Sequence, residues 1–287
     1  MTQAVLEILE TGPGLSFQDL GRRGWKRFGV PPGGALDTHA AQWANLLAGN
    51  PPHTPVLEIL FLGARFRVLT RLSFAITGAA VGGPGQRWRT HVLDTEEILQ
   101  IPPPASGVWT YLACAGGFHA PRWFGSVSLF PRGGVGQALA RGDVLHAHLP
   151  PTQASGSPIG TRWVDPTEIP DYRNPPALRV WRGPQWESFG AITRTAFFDG
   201  VWEVSSRSDR TGYRLTGIAL AVPPVGIPSE PVIPGSIQIP PDGQPIVTMR
   251  DGPTVGGYPK LGVVDPDDLS RLVQCRPGQS IRFRTAD

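Results

Sequence analysis

Lysine is almost missing from this chain: of its 26 basic residues, all but Lys26 and Lys260 are arginine. Arginine holds its proton and presents a flat fork of donors, whereas lysine is a compact charge whose pKa can be moved. A lysine kept at the end of the turn Asp251-Gly-Pro-Thr-Val-Gly-Gly-Tyr-Pro-Lys260 marks a position where the ammonium itself is wanted. Methionine is as scarce, and Met1 and Met249 exclude the Met-Lys-Met sequence that carries biotin. The two cysteines, Cys114 and Cys275, stand far apart in apolar or mixed stretches and read as buried thiols rather than a disulfide. No apolar run reaches about 18 residues, so no transmembrane helix is expected. The N-terminus lacks the basic start and cleavage site of a signal peptide, which makes the cytoplasm the expected compartment.

Other absences narrow the chemistry. The net charge is only +3, and one basic cluster, Arg22-Arg23-Gly-Trp-Lys26-Arg27, is no nucleic-acid face. Gly82-Gly-Pro-Gly85 and Gly133-Gly-Val-Gly136 lack the Gly-Lys-Ser/Thr of a phosphate loop and read as tight turns. The chain therefore has no evident means of binding ATP by itself. His146 and His148 are the only closely spaced histidines, too few for zinc, and no metal site is expected. No Gly-x-Ser-x-Gly elbow occurs.

What is abundant is glycine and proline, 36 and 32 of 287 residues, spread along the whole length. Proline breaks helix interiors, so this density predicts many short strands joined by turns. Apolar runs bounded by turn residues mark strands at Ala4–Leu9, Val56–Leu60, Phe66–Leu69, Leu72–Ile76, Val108–Ala113, Leu178–Trp181, Trp202–Val204, Ile237–Ile239, Ile246–Met249 and Ile281–Phe283. Helical periodicity is clear from Thr38 to Leu47, with Asp37 placed to cap it and Gly49 to stop it. A short helix is expected from Asp265-Pro-Asp-Asp268 to about Val273, and a weaker one over Gly190–Phe197. The fold class is mainly β with a few short helices. Residues 149–176, rich in Pro, Gly and Ser, read as a connector that buries little. They divide the chain into an N-terminal lobe, residues 1–150, a connector, 151–176, and a C-terminal lobe, 177–287.

Four polar, glycine-rich clusters hold the candidate site residues. Gln18, Asp19 and Arg22 offer amide, carboxylate and guanidinium groups, and the following Pro-Pro-Gly-Gly turn delivers Asp37 to a helix start. Ala115-Gly-Gly-Phe118 leads to Gly125-Ser-Val-Ser128, where Ser126 is the candidate. Ser208-Asp-Arg-Thr-Gly-Tyr-Arg214 supplies Asp209, Arg210 and Tyr213. The fourth runs from Ser229-Glu230 through Gln238 to Asp251, Gly256, Gly257, Tyr258 and Lys260. Asp209-Arg210 and Asp251…Lys260 each set an acid near a base in a turn, to orient a polar substrate or to pair and fix the turn.

Taken in order, these clusters resemble the allophanate hydrolase subunit 2 family. It includes the C component of bacterial ATP-dependent 5-oxoprolinase, the KipI antagonist, and the carboxyltransferase domain of urea carboxylase. The likeness runs from Gln18-Asp-Leu-Gly-Arg22 and Pro31-Pro-Gly-Gly-Ala-Leu-Asp37 through Asn45-Leu-Leu-Ala-Gly-Asn-Pro51, Leu57-Glu58 and Tyr111-Leu-Ala-Cys-Ala-Gly-Gly-Phe118. It resumes at Arg182-Gly-Pro-Gln185, Ser208-Asp-Arg-Thr-Gly-Tyr-Arg-Leu215, Gly235–Ile246 and Gly256-Gly-Tyr-Pro-Lys260. Where the family usually has Gly-Ser-Arg-Ser-Thr this chain has Gly125-Ser-Val-Ser-Leu129, one arginine and one hydroxyl fewer.

The resemblance implies two cyclophilin-like β-barrel lobes with a substrate pocket, and a KipI-like partner, the B component of 5-oxoprolinase. It implies a hydrolase component that opens 5-oxo-L-proline to L-glutamate together with the A and B components, with ATP and magnesium held by a partner and no cofactor on this chain. Lys260 and Arg210 would then stabilise charge, Tyr258, Gln238 and the backbone at Gly256–Gly257 would donate, and Asp251 or Asp209 would serve as base. Carboxyl transfer from biotin to a urea-like amide, and a non-catalytic KipI-binding role, are the alternatives.

Overall fold

Alternating and continuous apolar runs meet the turn residues around them to give twenty strands and three α-helices among the described residues. The computed structural model describes residues 2–79, 87–148, 160–174, 177–223 and 226–286. The turn expected at Gly82–Gly85 and most of the early connector lie outside them. The chain divides into two units, Met1–Arg22 with Gly33–Arg173, and Arg23–Pro32 with Asn174–Asp287. Among the described residues no helix is long and apolar enough to cross a membrane.

The first unit holds β1 (Gln3–Thr11), β2 (Ser16–Gln18), β3 (Val56–Leu60), β4 (Ala64–Val68) and β5 (Leu72–Gly78). It continues with β6 (Arg89–Leu93), β7 (Ile98–Ile101), β8 (Trp109–Cys114), β9 (Phe118–His119) and β10 (Val144–Ala147). They form two five-stranded sheets, in the orders β7-β4-β1-β10-β9 and β2-β3-β8-β5-β6. Leu6, Ile8, Phe66 and Leu145 from one sheet pack with Phe17, Leu57, Phe74 and Leu112 from the other in a single core. Every residue of β5 and of β8 is buried. Their outer face is covered by α1 (Thr38–Ala48), whose small residues Ala40, Ala41 and Ala44 let it lie close. Covered on both faces, these strands need no polar alternation, and their sequence shows a continuous run. Val164 and Tyr172, in the later part of the expected connector, are buried, so residues 160–174 do more than link.

The second unit holds β11 (Leu178–Arg182), α2 (Ala191–Asp199), β12 (Trp202–Val204), β13 (Gly212–Thr216), β14 (Glu230–Pro231) and β15 (Ser236–Gln238). Then come β16 (Ile246–Thr248), β17 (Val255–Gly256), β18 (Lys260–Val264), α3 (Pro266–Leu272), β19 (Ser280–Ile281) and β20 (Phe283–Thr285). Eight strands form one sheet, ordered β19-β12-β13-β16-β15-β18-β11-β20, while β14 and β17 pair apart. The two strands at the opposite edges, β19 and β20, are separated in sequence by Arg282 alone, so the sheet closes almost into a barrel. The sequence reads Ile281–Phe283 as one strand. It is broken because Ile281 pairs with Trp202 while Phe283 pairs with Leu178.

The expected caps are in place: Asp37 accepts the Ala40 amide at 2.9 Å and Gly49 stops α1 at φ 80°. Asp265 caps α3, with Pro266 in its first turn. Helix α3 is tied to β11 by Asp268, which takes Arg179 Nε at 2.9 Å, Arg179 Nη2 at 3.2 Å and the Arg179 amide at 2.8 Å. Burial alone raises the Asp268 carboxyl, but these donors and the nearby arginine charges outweigh it and hold the group below its ordinary value. A carboxyl depressed on folding contributes stability that is whole above its unfolded value and lost as pH falls through the folded one. Asp268→Asn is therefore expected to cost roughly 1–3 kcal/mol at neutral pH and to flatten the loss of stability below about pH 4. Urea unfolding across pH checks it, and a parallel offset at every pH would count against the linkage. Cys114 and Cys275 are free and buried, and burial pushes both thiols up, Cys275 to about 12.

Candidate functional site

The candidate residues fall into two sets, one in each unit. In the first unit Asp19 is a hub. Its Oδ1 accepts from Gly21 N at 2.8 Å, Ser126 Oγ at 2.5 Å and Ser128 Oγ at 2.9 Å. Its Oδ2 accepts from Val127 N at 3.1 Å and Arg122 Nη1 at 3.4 Å. A buried carboxylate with five donors is a strut joining the Gln18–Arg22 loop to the Gly125–Ser128 loop, with little left to move a proton. Arg22 is buried and donates to the Ser128 carbonyl. Gln18 gives its Nε2 to Ser16 at 3.0 Å, while its buried Oε1 has no partner among the described residues. An acceptor left open in that way costs about 1–3 kcal/mol unless something reaches it.

Asp37 closes a second buried chain. Its amide donates to Tyr111 Oη at 2.8 Å, that hydroxyl donates to Glu58 Oε2 at 2.8 Å, and Tyr172 Oη donates to Asp37 Oδ2 at 3.2 Å. Burial pushes the Tyr111 phenol well up, aided by the Glu58 and Asp37 carboxylates, so it stays a donor at every working pH. Asp37→Ala removes the cap and one hydrogen bond of the Tyr172 hydroxyl; a loss of about 1–2 kcal/mol is expected on urea unfolding. A loss under about 0.5 kcal/mol would show that water replaces both contacts.

In the second unit the two lysines converge on one short stretch. Lys260, 3% exposed, pairs through its ammonium with Glu230 Oε1. Lys26, from the 23–32 segment, donates to the Val232 carbonyl two residues on, and burial lowers its pKa. Gln185 locks the arrangement: its Oε1 accepts the Lys260 amide at 3.0 Å and its Nε2 donates to Glu230 Oε1 at 2.8 Å. Opposite Lys260 in register stands Gln238, which donates to Thr248 Oγ1 at 2.9 Å. A side chain at Gly256 would strike the Gln238 Oε1 at 2.8 Å, so glycine there keeps the amide in place. The Lys260 ammonium bonded to it, with Gln185 assisting, holds the Glu230 carboxyl below its ordinary value. An ammonium has three N–H donors, and Glu230 is the one partner of Lys260 Nζ among the described residues.

Arg210 and Asp251 meet each other. Arg210 Nε lies 2.7 Å from Asp251 Oδ2 and Nη2 lies 3.2 Å from Oδ1, a two-pronged pair. The Asp209 Oδ1 accepts from Thr211 N at 2.7 Å and Gly212 N at 3.1 Å, building the turn itself. Tyr213 is buried and donates to the Val273 carbonyl at 2.7 Å. Tyr258 is exposed, as is Gly257. Lys260, Gln238 and Gly256 thus come together, while Asp251 is engaged by Arg210. No sequence signal gives Gln185 or Thr248 a role, and Glu230 enters there only as part of a cluster. Gln185 does stand in the family-like stretch Arg182-Gly-Pro-Gln185, but its tie to Lys260 is a matter of strand register. Among the described residues no three His, Cys, Asp or Glu side chains are grouped to hold a metal.

The profile of the "Carboxyltransferase domain, subdomain A and B" matches residues 28–285. The chain is 33% identical to the C component of 5-oxoprolinase from Escherichia coli, over 97% of its length and 90% of that protein's. It is 31% identical to the urea amidolyase of Saccharomyces cerevisiae over 97% of its own length, but only 16% of that protein's. The crystal structure of the Kluyveromyces lactis urea carboxylase superposes with a TM-score of 0.91 at 27% identity, over all of this chain and 28% of that one.

Proposed function

The chain belongs to the carboxyltransferase-domain family, and from that premise we propose that it is the C component of an ATP-dependent 5-oxoprolinase. In that role it opens 5-oxo-L-proline to L-glutamate together with the A and B components, the B component being KipI-like. The observation that carries this reading is coverage. A 5-oxoprolinase component is matched over 90% of its length, whereas the urea amidolyase is matched over a small part. The reaction adds water across an amide: an oxygen joins the carbonyl carbon, the ring C–N bond breaks, and the nitrogen takes a proton. Losing amide resonance is the obstacle, and ATP held by a partner would supply the activation.

This chain would contribute a fixed positive charge. Lys260 sits in a dry position with donors beyond the one Glu230 uses, suited to an oxygen that gains negative charge as the ring opens. Glu230, about one-third exposed, is the group that can move aside to admit it. Gln238, held by Thr248, supplies a second polar group of fixed orientation on the same face. Glutamate release from 5-oxoproline by the chain mixed with its A and B partners, strictly dependent on ATP, tests the reading. The fold match to urea carboxylase favours a second one, carboxyl transfer to a urea-like amide from a biotin-bearing partner. Carboxylation of urea without glutamate release would select it. Complex formation with no turnover of either substrate would leave a binding role alone.

A further inference from the structure

The first unit contains a cavity of about 490 Å3 that no residue of the proposed reaction lines. Its walls include His53, Thr54, Phe118, His119, Arg122 and His148. Three of the chain's six histidines are among them. His119 lies on edge strand β9, directly opposite His146 of β10 in the register, and the His148 amide bonds back to the Gly117 carbonyl. Phe118 and Ala147 point into the core, which turns His119, His146 and His148 to the outer face. His119 Nδ1 and His148 Nε2 are 3.2 Å apart, with the rings edge to face.

We propose that this cavity is a binding site for a small-molecule oxyanion, a phosphate or carboxylate group. Arg122 gives it positive charge, three histidines line it, and among the described residues no carboxylate does. The acid nearest by bonding is Asp19, buried behind Arg122 and holding its Nη1 at 3.4 Å. A metal cation would meet the guanidinium charge and only two convergent nitrogens, which argues against that occupant. The volume suits a small metabolite, and Pro55, Ala120 and Pro121 are the apolar residues beside the polar ones.

The histidine pair gives the site adaptable donors. Two ring nitrogens in direct contact need one donor and one acceptor, and either ring can present an N–H from its other tautomer, so an oxyanion seated between them can accept from both.

Calorimetry on the full chain with inorganic phosphate, and separately with succinate, tests this. Saturable one-to-one binding of at least one probe, with shifted His119 and His148 ring resonances, is expected. His119→Asn with His148→Asn should weaken it about 10-fold or more, and so should Arg122→Gln, whereas His146→Asn and Lys260→Met should not. Phosphate and succinate arms separate the two anion sources. No saturable binding of either, binding unchanged in the variants, or zinc binding at the pair without any oxyanion binding would each overturn the proposal. None of these readouts depends on turnover, so failure here leaves the 5-oxoprolinase reading standing, and the reverse.

Discussion

Lys260→Met is expected to lower ATP-dependent glutamate release by about 100- to 1,000-fold in the reconstituted complex, the loss seen when one charge-stabilising donor is removed. The variant should fold. Methionine matches the buried stem in size, and the Glu230 carboxylate left behind is about one-third exposed, so water and the Gln185 amide can satisfy it. A stability change within about 1 kcal/mol follows. Lys260→Arg should not restore the rate, because a guanidinium fork does not fit a buried position where one compact ammonium meets Glu230. Wild-type turnover in the methionine variant would remove Lys260 from the chemistry. Turnover lost with normal stability and normal assembly of the complex is the result that supports it.

Arg210→Ala is expected to cost about 3–5 kcal/mol of stability. Asp251 is 7% exposed, and both its oxygens are held by the Arg210 fork, whose backbone carbonyl also takes the Asp251 amide at 2.9 Å. Without the arginine, a carboxylate is left in a place where water cannot replace two charged donors. Arg210→Lys should recover only part, since one ammonium cannot bond both oxygens at the observed geometry. Urea unfolding of the three proteins side by side decides it. A cost below about 0.5 kcal/mol for the alanine variant would mean the pair is solvated and ornamental. The pair thus reads as the clamp between the 208–214 bend and the 251–260 turn, rather than as base and charge stabiliser on the substrate.

Much of the scaffold was legible because it is written in local chemistry. Gly and Pro bracket the apolar runs that became β3, β5 and β8, and Asp37 with Gly49 framed α1 within a residue of its observed span. Lysine's rarity pointed to Lys260, which is buried and charge-paired. The partners were not legible. Glu230 stands 30 residues before Lys260 and Gln185 lies 75 residues before it, brought there by the pairing of β14 with β17 and of β11 with β18, which no window of sequence encodes. Arg210 sits next to Asp209, yet its fork reaches Asp251, 41 residues on, while Asp209 spends its oxygen on backbone amides of its own turn. Adjacent charges in a tight turn seldom face each other, and the two-pronged geometry rewards the distant acid. The break at Arg282 was equally hidden, because the run Ile281–Phe283 looks like one strand until its two halves are seen on opposite sheet edges.

That break sets when the second unit can finish folding. Its outermost strands leave the ribosome after the rest of the unit, yet β20 must lie parallel against β11, made more than a hundred residues earlier, while β19 completes the far side on β12. Until Ile281 and Phe283 emerge, Trp202 and Leu178 each border a sheet with an open rim, a template for any stray extended peptide. The nascent chain therefore carries two unpaired rims through the synthesis of nearly the whole unit, and only that unit's closing handful of residues covers them.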